Sequence, residues 1–220
     1  LVHYEGVDPE TGMALYTGVK TDGNGQPVKD ETGNYTYEST TNWNNAFNYA
    51  RRSTSSLLPD MFGGLGTSLA WKGFDFSIQT SFQLGGDIFD SGYQTLMDTS
   101  NGFTAGQNWH KDILKSWTPT NTHTDVPRAD NVDNYANSIS DRFLISSDYF
   151  SIDNITLGYT LPKSVTAKIG IEALRVYFAA DNVALFSARQ GLDPRLGIVS
   201  ASTSFYTSRR SLTGGIKLTF

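Results

Sequence analysis

The sequence predicts an all-β chain, an antiparallel segment of a transmembrane β-barrel with short turns at one end of its strands and long loops at the other. Three observations predict it. Five segments alternate apolar and polar residues with a period of two. The links between them are either very short or very long. Charged residues inside the strands keep to one face.

The first strand carries Leu65, Thr67, Leu69 and Trp71 on one face. After the two-residue link Lys72-Gly73, the second carries Phe74, Phe76, Ile78, Thr80, Phe82 and Leu84 on one face and Asp75, Ser77, Gln79, Ser81 and Gln83 on the other. A link this short predicts a tight hairpin. The third strand runs from about Tyr149 to Leu161, with Ile155, Leu157, Tyr159 and Leu161 in line and Phe150 and Ile152 out of phase. Either a bulge near Asp153-Asn154 or an exit from the bilayer accounts for that break. Pro162 ends this strand because it cannot donate to a ladder. The fourth sets Leu174, Val176, Phe178 and Ala180 against Arg175, Tyr177, Ala179 and Asp181. The fifth sets Leu212, Gly214, Ile216, Leu218 and Phe220 against Thr213, Gly215, Lys217 and Thr219.

The links at 72–73 and 162–173 are short, while those at 86–147 and 186–207 are long and rich in Asn, Ser, Thr and Asp. Outer-membrane barrels combine short periplasmic turns with long outer loops. On that pattern, residues 5–62 form a further outer loop. The start of the chain has neither the basic residues nor the apolar core of an export signal. The expectation is therefore a piece of a larger protein, with 1–220 the C-terminal part of one barrel domain.

Composition narrows the function classes. Lys and Arg total 17 against 22 Asp and Glu, and no basic run occurs, so nucleic acid is not an expected partner. Cysteine is absent, which excludes disulfides and thiolate metal sites. No apolar run reaches the ~20 residues of a membrane helix, a test that barrel strands escape because they alternate.

Alternation also fits a soluble β-sandwich. Segregated charge fits both, since a mid-bilayer Lys or Arg facing lipid costs about 2–4 kcal/mol and a sandwich core excludes charge too. The link of roughly 60 residues favours the barrel, because sandwich connections are much shorter.

Several blocks resemble the C-terminal region of the SusC/RagA family of TonB-dependent outer-membrane transporters of Bacteroidetes. They are Gly6-Val7-Asp8-Pro9-Glu10-Thr11-Gly12, Trp71-Lys72-Gly73-Phe74-Asp75-Phe76, Gln83-Leu84-Gly85-Gly86 and Ser140-Asp141-Arg142-Phe143. Asp148-Tyr149-Phe150, Asn154-Ile155-Thr156-Leu157-Gly158-Tyr159-Thr160-Leu161-Pro162, Leu174-Arg175-Val176-Tyr177, Asn182 and Gly191-Leu192-Asp193-Pro194 follow in order. Thr213, Gly215, Leu218 and Phe220 also resemble the final-strand signal through which the barrel-assembly machinery receives its clients, an edge that can pair by strand addition. The resemblance implies the last five or six strands of a 22-stranded barrel in the outer membrane, importing a glycan or peptide. It also implies a SusD-like lipoprotein partner and a TonB system acting through a plug region that this sequence does not contain. Two other readings stand beside it: a barrel fragment held as a client of assembly or secretion machinery, and a soluble carbohydrate-binding sandwich.

No catalytic constellation, cofactor motif or metal spacing is present. His3, His110 and His123 are scattered and read as loop residues. Asp22-Gly23-Asn24-Gly25 lacks the distal Glu of a calcium loop and reads as a turn. Trp43, Trp109 and Trp117 fall in the expected outer loops, where they could stack on a sugar, pack the loops or meet the lipoprotein. Trp71 and Phe74 flank the hairpin turn and read as girdle residues at the membrane interface.

Overall fold

A computed structural model describes residues 1–53, 55–99, 106, 108–130, 135–197 and 208–220. The chain divides into two compact units, 1–55 with 89–144, and 56–88 with 145–220.

The second unit holds a five-stranded antiparallel sheet of β4 (Met61–Trp71), β5 (Phe74–Leu84), β8 (Tyr149–Thr160), β9 (Ala173–Ser187) and β10 (Ser211–Thr219). Their order is β10-β9-β8-β5-β4, so among the described residues β10 and β4 are the edges and the sheet stays open. All five expected strands are there. Eleven residues in each of β4 and β5 match the 9–11 that a tilted strand needs to cross a bilayer. Lys72 (φ 46°) and Gly73 (φ 91°) both take the left-handed backbone that a two-residue hairpin requires.

The out-of-phase residues of the third expected strand are explained by a bulge. Gln79 pairs with Asn154 but Thr80 pairs with Ile152, which leaves Asp153 as the extra residue. Opposite, β9 is irregular at the same level, with Ile152 facing Ala184 and Asn154 facing Asp181, and Asn182 has a positive φ of 50°. The bulge restores phase, so Phe150 and Ile152 share a face with Ile155 and Leu157. It also lets β9 continue to Ser187, well past the Asp181 at which its alternation breaks.

The first unit is built from β1 (Tyr4–Val7), β2 (Ala14–Val19) and β3 (Tyr37–Thr40), with α1 (Trp43–Tyr49) against them. Val2, Ala14, Tyr16 and Ala46 form its buried cluster, with Tyr4, Trp43, Phe47 and Tyr135 packed around it. Asn42 caps α1 by accepting from the backbone N–H of Asn44 and Asn45. A second helix, α2 (Ser91–Leu96), is capped by Asp90, which accepts from Tyr93 N–H. The long segments expected as plain loops thus fold into a unit with its own core. Short strands β6 (Asp87–Phe89) and β7 (Leu144–Ser146) mark where the chain passes between the units, and α3 (Lys163–Thr166) lies in the link after Pro162.

Candidate functional site

Pairing across the five-stranded sheet fixes which side chains share a face, because residues opposite one another project to the same side. One face carries Leu65, Leu69 and Trp71 from β4, and Phe74, Phe76, Ile78 and Phe82 from β5. It continues through Phe150, Ile155 and Leu157 of β8, Val176 and Phe178 of β9, and Leu212, Ile216 and Leu218 of β10. No Asp, Glu, Lys or Arg of a regularly paired position stands on this face. The face is uncovered: Leu69 is 64 % exposed, Trp71 69 %, Leu212 64 % and Ile216 68 %.

Aromatic side chains mark both ends of it. At the hairpin end Trp71 pairs with Phe74 and Phe74 with Tyr159, whose rings lie 4.4 Å apart. Lys72 Nζ sits 4.8 Å from the Trp71 ring centre. At the other end Phe82 pairs with Phe150 and Phe150 with Phe186. Eight residue steps along β5 separate Phe74 from Phe82, about 27 Å along a strand rising ~3.4 Å per residue. Strand tilt shortens that along a membrane normal, to the scale of the ~25 Å apolar band of outer-membrane barrels.

The opposite face is polar and internally bonded. Arg175 Nε donates to Asp75 Oδ1 at 2.9 Å and Arg175 Nη2 to Asp75 Oδ2 at 2.5 Å. This pair spans β8 at Gly158, where a Cβ would collide with both partners. Asn154 donates to Asp181 at 2.7 Å. Near the bulge, Arg195 donates to both oxygens of Asp193 at 2.8 Å and to Ser151 Oγ at 3.0 Å. Burial pushes the Asp193 carboxyl up, but hydrogen bonds and charge from Arg195 outweigh this and hold it below the usual range.

The expected site residues lie as follows. Thr213, Gly215 and Leu218 are on the edge strand β10, and Phe220 follows it at 84 % exposure. Trp43 stacks on Phe47 with ring centres 4.6 Å apart and donates from its indole N–H to Ile139 O at 2.9 Å. Trp117 donates to Pro9 O at 3.0 Å and lies against Gly12, whose φ of +75° and missing Cβ make room for the ring. Trp109 is half-buried. Trp43 and Trp117 are thus held by different segments of the first unit.

Among the described residues no cluster of three or more His, Cys, Asp or Glu could hold a metal. His3 pairs with Asp141 at 2.6 Å, His110 stacks edge-on against Tyr93, and His123 is exposed. Burial and the neighbouring Asp112 push the Tyr93 hydroxyl up to about 12. Asp22 accepts from Asn24 N–H and Gln26 N–H, so its carboxylate closes a turn of its own backbone.

Comparison with known proteins gives this arrangement its setting. No family model matches the chain. It is 31 % identical over 144 residues to TonB-dependent receptor P3 of Formosa agariphila, an alignment covering 66 % of this chain and 14 % of that protein. The chain is a homologue of TonB-dependent receptors, SusC among them. SusC of Bacteroides thetaiotaomicron is 28 % identical over 182 residues, covering 80 % of this chain and 16 % of SusC. The structure of the RagAB peptide transporter matches the whole chain with a TM-score of 0.76 at 24 % identity, over 22 % of its own chain. The present chain therefore spans about one-seventh of the curated receptors it matches.

The open sheet fits a receptor segment of this kind, since five strands cannot close a barrel. Sequence reasoning singled out Trp71 and Phe74 but missed Tyr159, which pairs with Phe74, and it missed the Asp75–Arg175 pair. Gly158, a glycine inside a regular strand, was the available signal for that pair.

Proposed function

We propose that this chain is the C-terminal part of the barrel wall of an outer-membrane importer of glycan or peptide. The observation that carries the reading is the uncovered apolar face of the five-stranded sheet, free of charge at every regularly paired position and bounded by aromatic rows. A β-sandwich would bury such a face against a second sheet; a barrel presents it to lipid. The relatives named above supply the transport setting. By the same likeness the intact receptor works with a SusD-like surface lipoprotein and takes energy from a TonB system.

On this reading the polar face lines the interior, and Trp71, Phe74 and Tyr159 sit at the periplasmic interface. Trp43 and Trp117 lie in segments read as outer loops, where they hold the loop fold together. Thr213, Gly215, Leu218 and Phe220 form the edge presented to the assembly machinery. Deleting the gene of the full-length receptor should abolish growth on one class of glycan or peptide while leaving growth on simple sugars intact. Unchanged uptake of every oligomeric nutrient would count against the reading.

A further inference from the structure

β10 contains two adjacent glycines in opposite circumstances. Around Gly214, on the apolar face, a Cβ would meet nothing within 4 Å. At Gly215, on the polar face, it would run into Cζ, Oη and Cε1 of Tyr177. Gly215 stands directly opposite Tyr177 in the β9–β10 ladder, so the ring lies across the glycine of the neighbouring strand. Gly215 is accordingly the least exposed residue of β10.

The ring also meets a cation. The Arg175 guanidinium carbon lies 5.2 Å from the Tyr177 ring centre, while the same guanidinium bonds Asp75 above Gly158. Asp75 pairs with Gly158, Gly158 with Tyr177, and Tyr177 with Gly215, so one ladder row crosses four strands. Each glycine in that row is a notch, filled by a long side chain from β9.

We infer that Tyr177 and Gly215 form a register lock for the edge strand: the ring of Tyr177 fits only where β10 offers a residue without a Cβ. The need for lock is physical. Hydrogen bonds alone do not distinguish a ladder from one shifted by two residues, and a shift by two keeps every side chain on its own face. Such a slip would set Tyr177 opposite Thr213 or Lys217, both of which carry a Cβ where the ring lies. Gly215 is therefore required by Tyr177, whatever else reads the edge. This deepens the barrel reading above but stands on the β9–β10 pairing alone.

The test uses the full-length receptor that carries this chain, with two readouts: folded receptor recovered from isolated outer membranes, and disulfide yield between Leu212→Cys and Ala180→Cys. Those two positions are directly paired and the chain has no other cysteine. Gly214→Ala and Tyr177→Phe should resemble the parent. Gly215→Ala should lower folded receptor about tenfold, as overpacking does, and lower the disulfide yield with it. Adding Tyr177→Ala to Gly215→Ala should recover most of both. A harmless Gly215→Ala, or a double variant as defective as Gly215→Ala alone, would overturn the lock. The disulfide reports pairing wherever the receptor fractionates, so loss of the membrane reading and loss of the lock are told apart.

Discussion

Arg175 reaches Asp75 across an entire intervening strand, because the residue between them on that strand is Gly158. The pair ties β9 to β5 over the top of β8. It is a link between strands that share no ladder, set on the face opposite the apolar band.

Gly158→Val should therefore do more damage than removing the ion pair. The new side chain displaces both partners and leaves two charges without each other, whereas Asp75→Asn keeps the geometry and loses only charge. Denaturant midpoints of the full-length receptor should rank parent above Asp75→Asn above Gly158→Val. A Gly158→Val midpoint equal to the parent's would contradict the bridging role.

Trp117 is expected to act on stability. Trp117→Ala removes the ring that fills the space beside Gly12 and the bond to Pro9 O, at a cost of about 2–3 kcal/mol. Gly12→Ala adds backbone strain at φ +75° to the same collision and should cost at least as much. Both are measured by protease resistance of residues 1–55 in the intact receptor. If Trp117→Ala left resistance intact while weakening ligand capture, the ring would be a ligand platform after all.

Acid should loosen the link after β9. Arg195 holds Asp193 ionised with its folded value below the usual carboxylate range, so its contribution is complete above the ordinary pKa of about 4 and is lost as pH falls through the lowered value. Hydrogen exchange across 189–197, corrected for its intrinsic pH dependence, should show protection dropping as pH falls below about 4. The Asp193→Asn variant should lack that drop; an identical drop in the variant would assign it to another group.

The strands were legible because each is long enough for period-two alternation to show, and the phase break near Asp153 left a bulge as one of two readings. The first unit was not legible. β1, β2 and β3 have 4 to 6 residues each, too few for a pattern to stand out. Its core is tied by contacts far apart in sequence, such as Tyr16 Oη donating to Tyr135 O and Tyr4 N–H to Asp141. The same limit hid the Tyr177–Gly215 contact: each residue is ordinary alone, and only the register of β9 against β10 brings them together.

The central claim is that the apolar face of the five-stranded sheet meets lipid and the polar face meets water. Single cysteines placed along β5 and β8 of the full-length receptor, with any cysteine outside this cysteine-free segment replaced by serine, test it most directly. Phe76→Cys, Ile78→Cys and Leu157→Cys should resist a charged, water-soluble maleimide in intact outer membranes and react with a lipid-dissolved one. Ser77→Cys, Gln79→Cys and Thr156→Cys should show the reverse. Equal labelling of both sets by the charged reagent would contradict the account.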